Sequence, residues 1–434
     1  MIPYLKRFLF RAFITAASLI AVATLLTGCN SDDPEPDPPY YPPGASDKVS
    51  TSILLYAVAS NNLASNFIDD RREIARGLAD ADLDEVDFYI YSVLPTIVGD
   101  TPIATLEKAC RRKDNNSVEF VEVAVYDRET YSTDPERIAQ VISDYQQLSP
   151  ADSHGIIFWS HATSWSPAFS DHNVAASRSA SSEIGDVAAS RSAEPGLGEA
   201  EPFDTPALQW FGQDTFNGKS DYCDIVEMAD AIPDNYFDFI WWDCCYMSSI
   251  EVIYQFRRKA PMFVAYPTEV LAEGAPYDII VPYLARADYN LVMAADVMAD
   301  YFNSGEKIFT IAVVDPSALE EIADMASLAM TGTRPSQIRL LKYSRGSLRL
   351  YDFGDYMSNY AQPLGDAWDQ AAFDRAMNRL VIYKASSSKL FTGKEIPSDS
   401  FYGISAQYFD LEPDFDPEPE DVYYMNLDWY KRVF

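Results

Sequence analysis

The stretch YFDFIWWDCCYMSSIEVIY, residues 236–254, decides the fold of this chain. Its first seven residues are almost all apolar or aromatic, which is typical of a strand buried on both faces of a sheet. Asp243, Cys244 and Cys245 follow, and the residues after them have the apolar spacing of a helix. A buried strand that leads into a helix, which we expect the two cysteines to open, predicts an α/β fold.

The same alternation of strand and helix extends along the chain in both directions. Strand-like apolar runs are found at 51–60, 86–94, 155–160, 261–266, 308–314 and 401–409. Helical spacing is found at 64–78, 135–145, 225–232, 316–330 and 356–384. The pattern predicts a mainly parallel sheet flanked by helices on both faces, formed by a core at 48–315. Residues 316–434 are predicted to form a C-terminal α/β extension packed on that core.

The N-terminus has the layout of an export signal. Three basic residues precede an apolar run, 12–26, which ends in Leu-Thr-Gly-Cys at Cys29. The ending resembles the lipobox of bacterial lipoproteins, so we expect a signal peptide at 1–28, lipid on Cys29 and a Pro/Asp-rich tether at 29–47. A transmembrane helix is the alternative, but the run is shorter than the roughly 20 residues that such a helix needs. The prediction is an exported, membrane-anchored lipoprotein on the periplasmic or cell-surface side.

Composition narrows the classes of partner and site. The net charge of −33 and pI near 4.3 argue against a nucleic-acid partner. The cysteines other than Cys29 do not have the spacing of a multi-bridge disulfide framework, so one of them is available as a working thiol. The sequence contains no phosphate-binding loop and no HExxH, GxSxG or paired CxxC motif, and we expect no required cofactor.

One segment, 175–206, interrupts the alternation. It is rich in Ala, Ser, Gly and acids, and the heptapeptide VAASRSA occurs in it twice, around Arg178 and Arg191. Such a composition cannot supply a packed core. We interpret it as an exposed insertion within the core.

Position along the predicted strands selects the reactive residues. Of the three histidines, His161 directly follows a strand, whereas His154 precedes it and His172 lies near the insertion. Cys244 and Cys245 also follow a strand, and functional groups gather at the carboxyl ends of parallel strands. A cysteine at a helix N-terminus beside an imidazole is favoured as the nucleophilic thiolate. The alternative is a small core cysteine and a packing histidine.

The segments IIFWSHATSW, residues 156–165, and WWDCCYMSSIEVIY, residues 241–254, resemble the two signature regions of the clostripain family of cysteine peptidases. Shorter pieces agree with this resemblance: AVASNNLASNF, FGQD, DIVEMADAIP and YGISAQYF. The family is related to caspases, legumains and gingipains, so the resemblance implies a caspase-like fold. The order Asp, small residue, Cys, apolar residue, Met makes Cys245 the nucleophile and Cys244 the spacer. If the assignment slips by one residue, Cys244 is the nucleophile instead.

The resemblance also implies a mechanism and a specificity. His161 would be the catalytic partner of Cys245, and the N–H groups of Cys245 and Ala162 would bind the oxyanion. Ala162 replaces the usual glycine, which keeps the N–H but restricts the backbone. Cleavage after Arg or Lys requires a carboxylate, for which Asp243 is the first candidate. Glu269 and Glu273 are the others, with solvated loop acids as the alternative interpretation.

Family members are commonly matured by cleavage between the two motifs, which predicts self-cleavage after Arg178 or Arg191. Some relatives use calcium, so calcium is an expected optional ligand. The predicted partners are protein or peptide substrates, with the membrane contacted through Cys29. A peptidase fold that has lost activity, or another surface lipoprotein that binds peptides or glycans, is the competing hypothesis.

Overall fold

The computed structural model describes residues 48–95, 103–165, 211–330, 341–344, 349–397, 400–407 and 419–434. The predicted signal peptide, Cys29, the tether, and the insertion with Arg178 and Arg191 lie outside the described residues, as does His172.

A nine-stranded sheet forms the centre of the described chain, in the order β12-β10-β9-β8-β5-β1-β2-β3-β4. Its strands are β1 (Val49–Val58), β2 (Val86–Val93), β3 (Ala104–Arg111), β4 (Val118–Tyr126), β5 (Ala151–Trp159), β8 (Phe239–Asp243), β9 (Phe263–Ala265), β10 (Thr310–Val314) and β12 (Val381–Ser386). The five middle strands pair in parallel, and antiparallel pairs extend the sheet at both edges. The predicted mainly parallel α/β fold is confirmed.

Two small antiparallel pairs accompany this sheet. They are a hairpin of β6 (Phe211–Phe216) and β7 (Lys219–Cys223), and a pair of β11 (Leu350–Asp352) and β13 (Ser405–Gln407). The hairpin directly follows the segment that contains the predicted insertion.

Helices cover both faces of the main sheet. One face packs against α1 (Ala64–Gly77), α5 (Tyr277–Leu284) and α6 (Leu291–Ser304). The opposite face packs against α2 (Pro135–Leu148), α3 (Ile225–Ala231), α4 (Ile250–Phe256), α7 (Leu319–Met330), α8 (Phe353–Ala361), α9 (Gln370–Leu380), α10 (Pro419–Tyr424) and α11 (Asp428–Val433). Because both faces are covered, the middle strands are apolar throughout, which is why the sequence marks them clearly.

Side chains of the middle strands alternate between the two faces. In β8, Ile240 and Trp242 belong to the core on the α4 side, and Phe239 and Trp241 belong to the core on the α1 side. In β5, Phe158 points to the α4 side and Trp159 to the α1 side.

The predicted helix at 356–384 is wrong. The chain instead forms α8, a 3-10 stretch at Gln362–Ala367, α9 and then strand β12. Gly365 inside that stretch has φ 52°, which an ordinary helix cannot accommodate. Strand β12 therefore joins the C-terminal region to the main sheet through β10. Among the described residues, no helix combines the length and apolar character needed to cross a bilayer.

Candidate active site

The pairing of β5 with β8 sets the positions of the candidate dyad. Trp159 and Asp243 are partners in this parallel register, and each is the last residue of its strand. His161 and Cys245 both lie two residues further on, so both extend from the same edge of the sheet. Neighbouring strands are about 4.8 Å apart. The fold thus brings together the two residues that the sequence singled out.

The adjacent cysteines have different surroundings. Cys244 is buried in the core on the α4 side, and its thiol donates to the carbonyl of Phe158 at 3.4 Å. Burial raises the pKa of Cys244 well above its ordinary value. Cys245 is half-buried, and its Sγ accepts a hydrogen bond from the N–H of Val270 at 3.2 Å. The thiol of Cys245 is therefore the more accessible of the two.

The expectation that the cysteines open a helix is wrong. Helix α4 begins at Ile250, with Ser249 as its N-cap, and a turn separates it from β8. In this turn Tyr246 has φ 62° and its N–H donates to the carbonyl of Thr268. A bulky residue with positive φ is strained, so the loop after β9 must hold the turn in place. The helix dipole does not act on the Cys245 thiol, because its effect is confined to the first turn of a helix.

The imidazole of His161 is half-buried and hydrogen-bonded to an asparagine. Its Nε2 lies 2.6 Å from Oδ1 of Asn62, in the loop that follows β1. Burial lowers the pKa of His161 to about 4, so the ring is neutral at neutral pH. Asn62 is a contact that the sequence did not single out. His154 pairs with Ser52 in the register of β5 with β1, several residues before the strand ends, and it is remote from this site.

The β6–β7 hairpin covers the segment after β5. Ala162 forms an antiparallel bridge with Phe211, and the N–H of Gly212 donates to the carbonyl of His161 at 2.9 Å. The acceptor of this hydrogen bond is the carbonyl of His161, so the N–H of Ala162 takes no part in it. The bridge geometry is extended, and alanine adopts it without strain.

Comparisons with known proteins bear on this arrangement. The sequence profile of the clostripain family matches residues 198–399, a region that includes Asp243 and Cys245 but begins after His161. This region of the chain is therefore similar to clostripain-family cysteine peptidases. Among curated proteins, none matches the chain significantly.

Solved structures of this type share the fold. A secreted C11 cysteine protease from Bacteroides thetaiotaomicron, in complex with an irreversible peptide inhibitor, is 24% identical with a TM-score of 0.65. An inactive zymogen C11 protease from Parabacteroides distasonis is also 24% identical, with a TM-score of 0.66. Each match covers 89% of this chain and 99% of the other chain. The caspase-like fold that the clostripain resemblance implied is thereby confirmed.

Asp243, the first candidate for binding a basic side chain, is buried rather than solvated. Its Oδ2 accepts hydrogen bonds from the N–H of Ala275 at 3.1 Å and the hydroxyl of Tyr277 at 2.8 Å. Burial raises the pKa of Asp243. A second buried acid, Asp70 on α1, accepts from the indole N–H of Trp159, the strand partner of Asp243.

The two acids face one glycine. A Cβ placed on Gly274 would lie 2.9 Å from Oδ2 of Asp243 and 3.4 Å from Oδ2 of Asp70. Burial and the nearby Asp243 raise the pKa of Asp70 to about 9. Asp70 is therefore protonated at neutral pH in this conformation, in which the loop at Gly274 covers both acids.

The other two candidate acids lie in the loop after β9. Glu269 is half-buried and lines a small cleft with Val270, whose N–H contacts the Cys245 sulfur. Glu273 is exposed and forms an ion pair with Lys307 on the surface. Glu269 is thus the chain neighbour of the residue that contacts the thiol, while Glu273 is already paired with a cation of the chain itself.

The part of the chain that the structure describes contains no recognisable metal site. There, no group of three or more His, Cys, Asp or Glu side chains is arranged to hold an ion. The acidic run that begins at Asp410 lies mostly outside the described residues. Calcium dependence stays a prediction.

Proposed function

We propose that this protein is an endopeptidase that cleaves after Arg or Lys, with Cys245 as nucleophile and His161 as acid and base. The observation that carries the proposal is the register of β5 with β8, which extends these two residues from neighbouring strand ends. Cys244, the competing thiol, is fully buried in the core, and this burial raises its pKa. A thiol that remains protonated in a core is a poor nucleophile.

The reaction begins with proton transfer from the Cys245 thiol to the neutral imidazole of His161. The thiolate attacks the scissile carbonyl carbon, and the N–H groups of Ala162 and Cys245 stabilise the oxyanion. His161 then protonates the leaving amine as the C–N bond breaks, which gives a thioester. Water attacks the thioester after losing a proton to His161, and the proton returns to the sulfur as the acid leaves.

Asp243 is our candidate for pairing with the basic side chain of the substrate. It is the last residue of β8 and precedes Cys245 by two residues, which supports a position close to the reacting thiol. A bound guanidinium or ammonium would favour the ionised carboxylate and offset the burial that raises its pKa. Because the loop at Gly274 covers Asp243, that loop must move when the substrate binds.

Specificity is tested by assaying the soluble chain, without residues up to Cys29, on fluorogenic Arg, Lys and Asp peptides. We expect cleavage of the Arg and Lys peptides, and a 10- to 100-fold lower kcat/KM for them in Asp243→Asn, the range for a hydrogen-bonded charge pair. Asp288→Asn, a surface acid paired with Arg286, is the matched control. If Glu269→Gln loses activity on basic peptides and Asp243→Asn does not, the acid has been assigned wrongly. An inactive wild type would favour a peptidase fold that has lost its activity.

Maturation and anchoring complete the proposal. Two copies of one Arg-containing heptapeptide between His161 and Cys245 support self-cleavage after Arg178 or Arg191. Basic, apolar and small residues before Cys29 support export and lipidation, which would place the peptidase where it meets extracellular or periplasmic proteins. Purified protein that stays intact while cleaving Arg peptides well would contradict the maturation step.

A further inference from the structure

The side chain of Asn62 forms a hydrogen bond with His161, the candidate catalytic histidine. Its Oδ1 lies 2.6 Å from Nε2 of His161. Strands β1 and β5 are parallel neighbours, with Ala57 opposite Trp159, so the loop after β1 and the residues after β5 extend from the same edge of the sheet. The contact joins residues 99 positions apart in the chain.

The chemistry of this hydrogen bond determines which imidazole nitrogen carries the proton. The oxygen of a side-chain amide only accepts hydrogen bonds, so Nε2 must be the donor. In a neutral imidazole the other nitrogen, Nδ1, then carries the lone pair. We propose that Asn62 is a positioning residue that holds His161 as the Nε2–H tautomer and turns Nδ1 toward the Cys245 thiol. This inference rests on the proposed dyad of His161 and Cys245.

The neighbouring Asn61 has a different task, because it fixes the loop that presents Asn62. Its Nδ2 donates to the carbonyls of Val58 and Gln213, at 2.9 Å each, and its Oδ1 accepts from the N–H of Leu63 at 2.8 Å. Three bonds from one side chain hold the loop at both of its ends. Asn62 is itself exposed, so its replacement leaves this framework intact.

The neutral charge of Asn62 matters for the base. Burial lowers the pKa of His161 to about 4, and a neutral acceptor leaves the ring unprotonated and ready to take the thiol proton. A carboxylate at the same position would accept the same hydrogen bond but would also favour the imidazolium. We therefore expect the wild type and Asn62→Asp to share one orientation of the His161 ring but to differ in the pKa of that ring.

The tautomer is measured directly by 15N NMR of the imidazole nitrogens in the soluble chain, which contains only three histidines. A His161→Gln variant identifies the resonances. We expect a protonated Nε2 and an unprotonated Nδ1 in the wild type, and a mixture of tautomers in Asn62→Ala. A wild type with protonated Nδ1 would overturn the assignment. This measurement needs no turnover, so it separates failure of the Asn62 inference from failure of the proposed peptidase activity.

Kinetics supply the second test. Asn62→Ala is expected to lower kcat about tenfold, the value of one neutral hydrogen bond, with KM nearly unchanged. Asn62→Asp should keep most of the activity near neutral pH and move the acid limb of the pH profile upward by about one pH unit, because a higher pKa of His161 removes the neutral base at low pH. Asn66→Ala, in the first turn of α1, is the matched control. A wild-type kcat and pH profile in Asn62→Ala, or equal impairment of Asn62→Asp and Asn62→Ala at every pH, would refute the positioning role.

Discussion

Removal of the Asp214 carboxylate is expected to lower the free energy of unfolding by roughly 3–5 kcal/mol. Asp214 on β6 is fully buried and binds Arg128 through two hydrogen bonds, of 2.6 and 2.7 Å. Its Oδ2 also accepts from the N–H of Ser132 at 2.7 Å. In Asp214→Ala the guanidinium of Arg128 retains its contact with the ring of Phe216, whose centroid is 4.9 Å away, but it loses the carboxylate that pairs with it. The expected loss of stability is therefore the cost of leaving a buried charge without its partner.

This ion pair also matters for the site, because it anchors the hairpin that contacts His161 through Gly212. Urea unfolding measures the stability, and the peptidase rate should fall at lower urea in Asp214→Ala than in the wild type. Asp288→Ala, which breaks an exposed pair, is the control and should unfold like the wild type. Replacing both partners, as in Arg128→Met with Asp214→Leu, should recover much of the loss. A loss below about 1 kcal/mol in Asp214→Ala would refute the reasoning.

Two further predictions concern the covered acids. Because the folded-state pKa of Asp70 is raised to about 9, the stability from its protonated form is full below pH ~4 and is lost as pH rises toward that value. Asp70→Asn should therefore gain stability relative to the wild type as the pH rises, by at most about 1.4 kcal/mol per pH unit. Thermal unfolding measures this difference in stability. A difference between the two proteins that stays constant from pH 5 to 8 would contradict the prediction. Gly274→Ala should lower the free energy of unfolding by roughly 1–3 kcal/mol, because φ is +64° and the new methyl group would contact Asp243. An unchanged midpoint of urea unfolding would contradict this prediction.

The sequence predicted the middle of the sheet better than its edges. Strands β1, β5 and β8 are apolar on both faces and have an unambiguous pattern. Strands β3 and β4 were missed, because β3 contains charged residues such as Glu107 and Lys108, and β4 is mostly half-exposed at the sheet edge. Their pairing depends on tertiary contacts that no local period reports. The break between α8 and α9 was missed although Pro363 and Gly365 mark it in the sequence.

The candidate site was partly predictable. A histidine and a cysteine at strand ends can be identified from sequence, because parallel strands place their carboxyl ends at one edge. Two features could not be predicted. The contact of Asn62 with His161 depends on a loop that Asn61 holds through Val58 and Gln213. The buried position of Asp243 depends on the loop at Gly274, which folds back over the strand end.

The identity of the nucleophile is tested most directly by mass spectrometry after treatment with an Arg chloromethyl ketone, which forms a thioether with the attacking thiol. The soluble wild type should be inactivated with one label, on Cys245, and Cys245→Ala should remain unlabelled. Cys244→Ala should be labelled like the wild type, because its thiol lies in the core. A label on Cys244, or no label on a protein that cleaves Arg peptides, would contradict the assignment of Cys245.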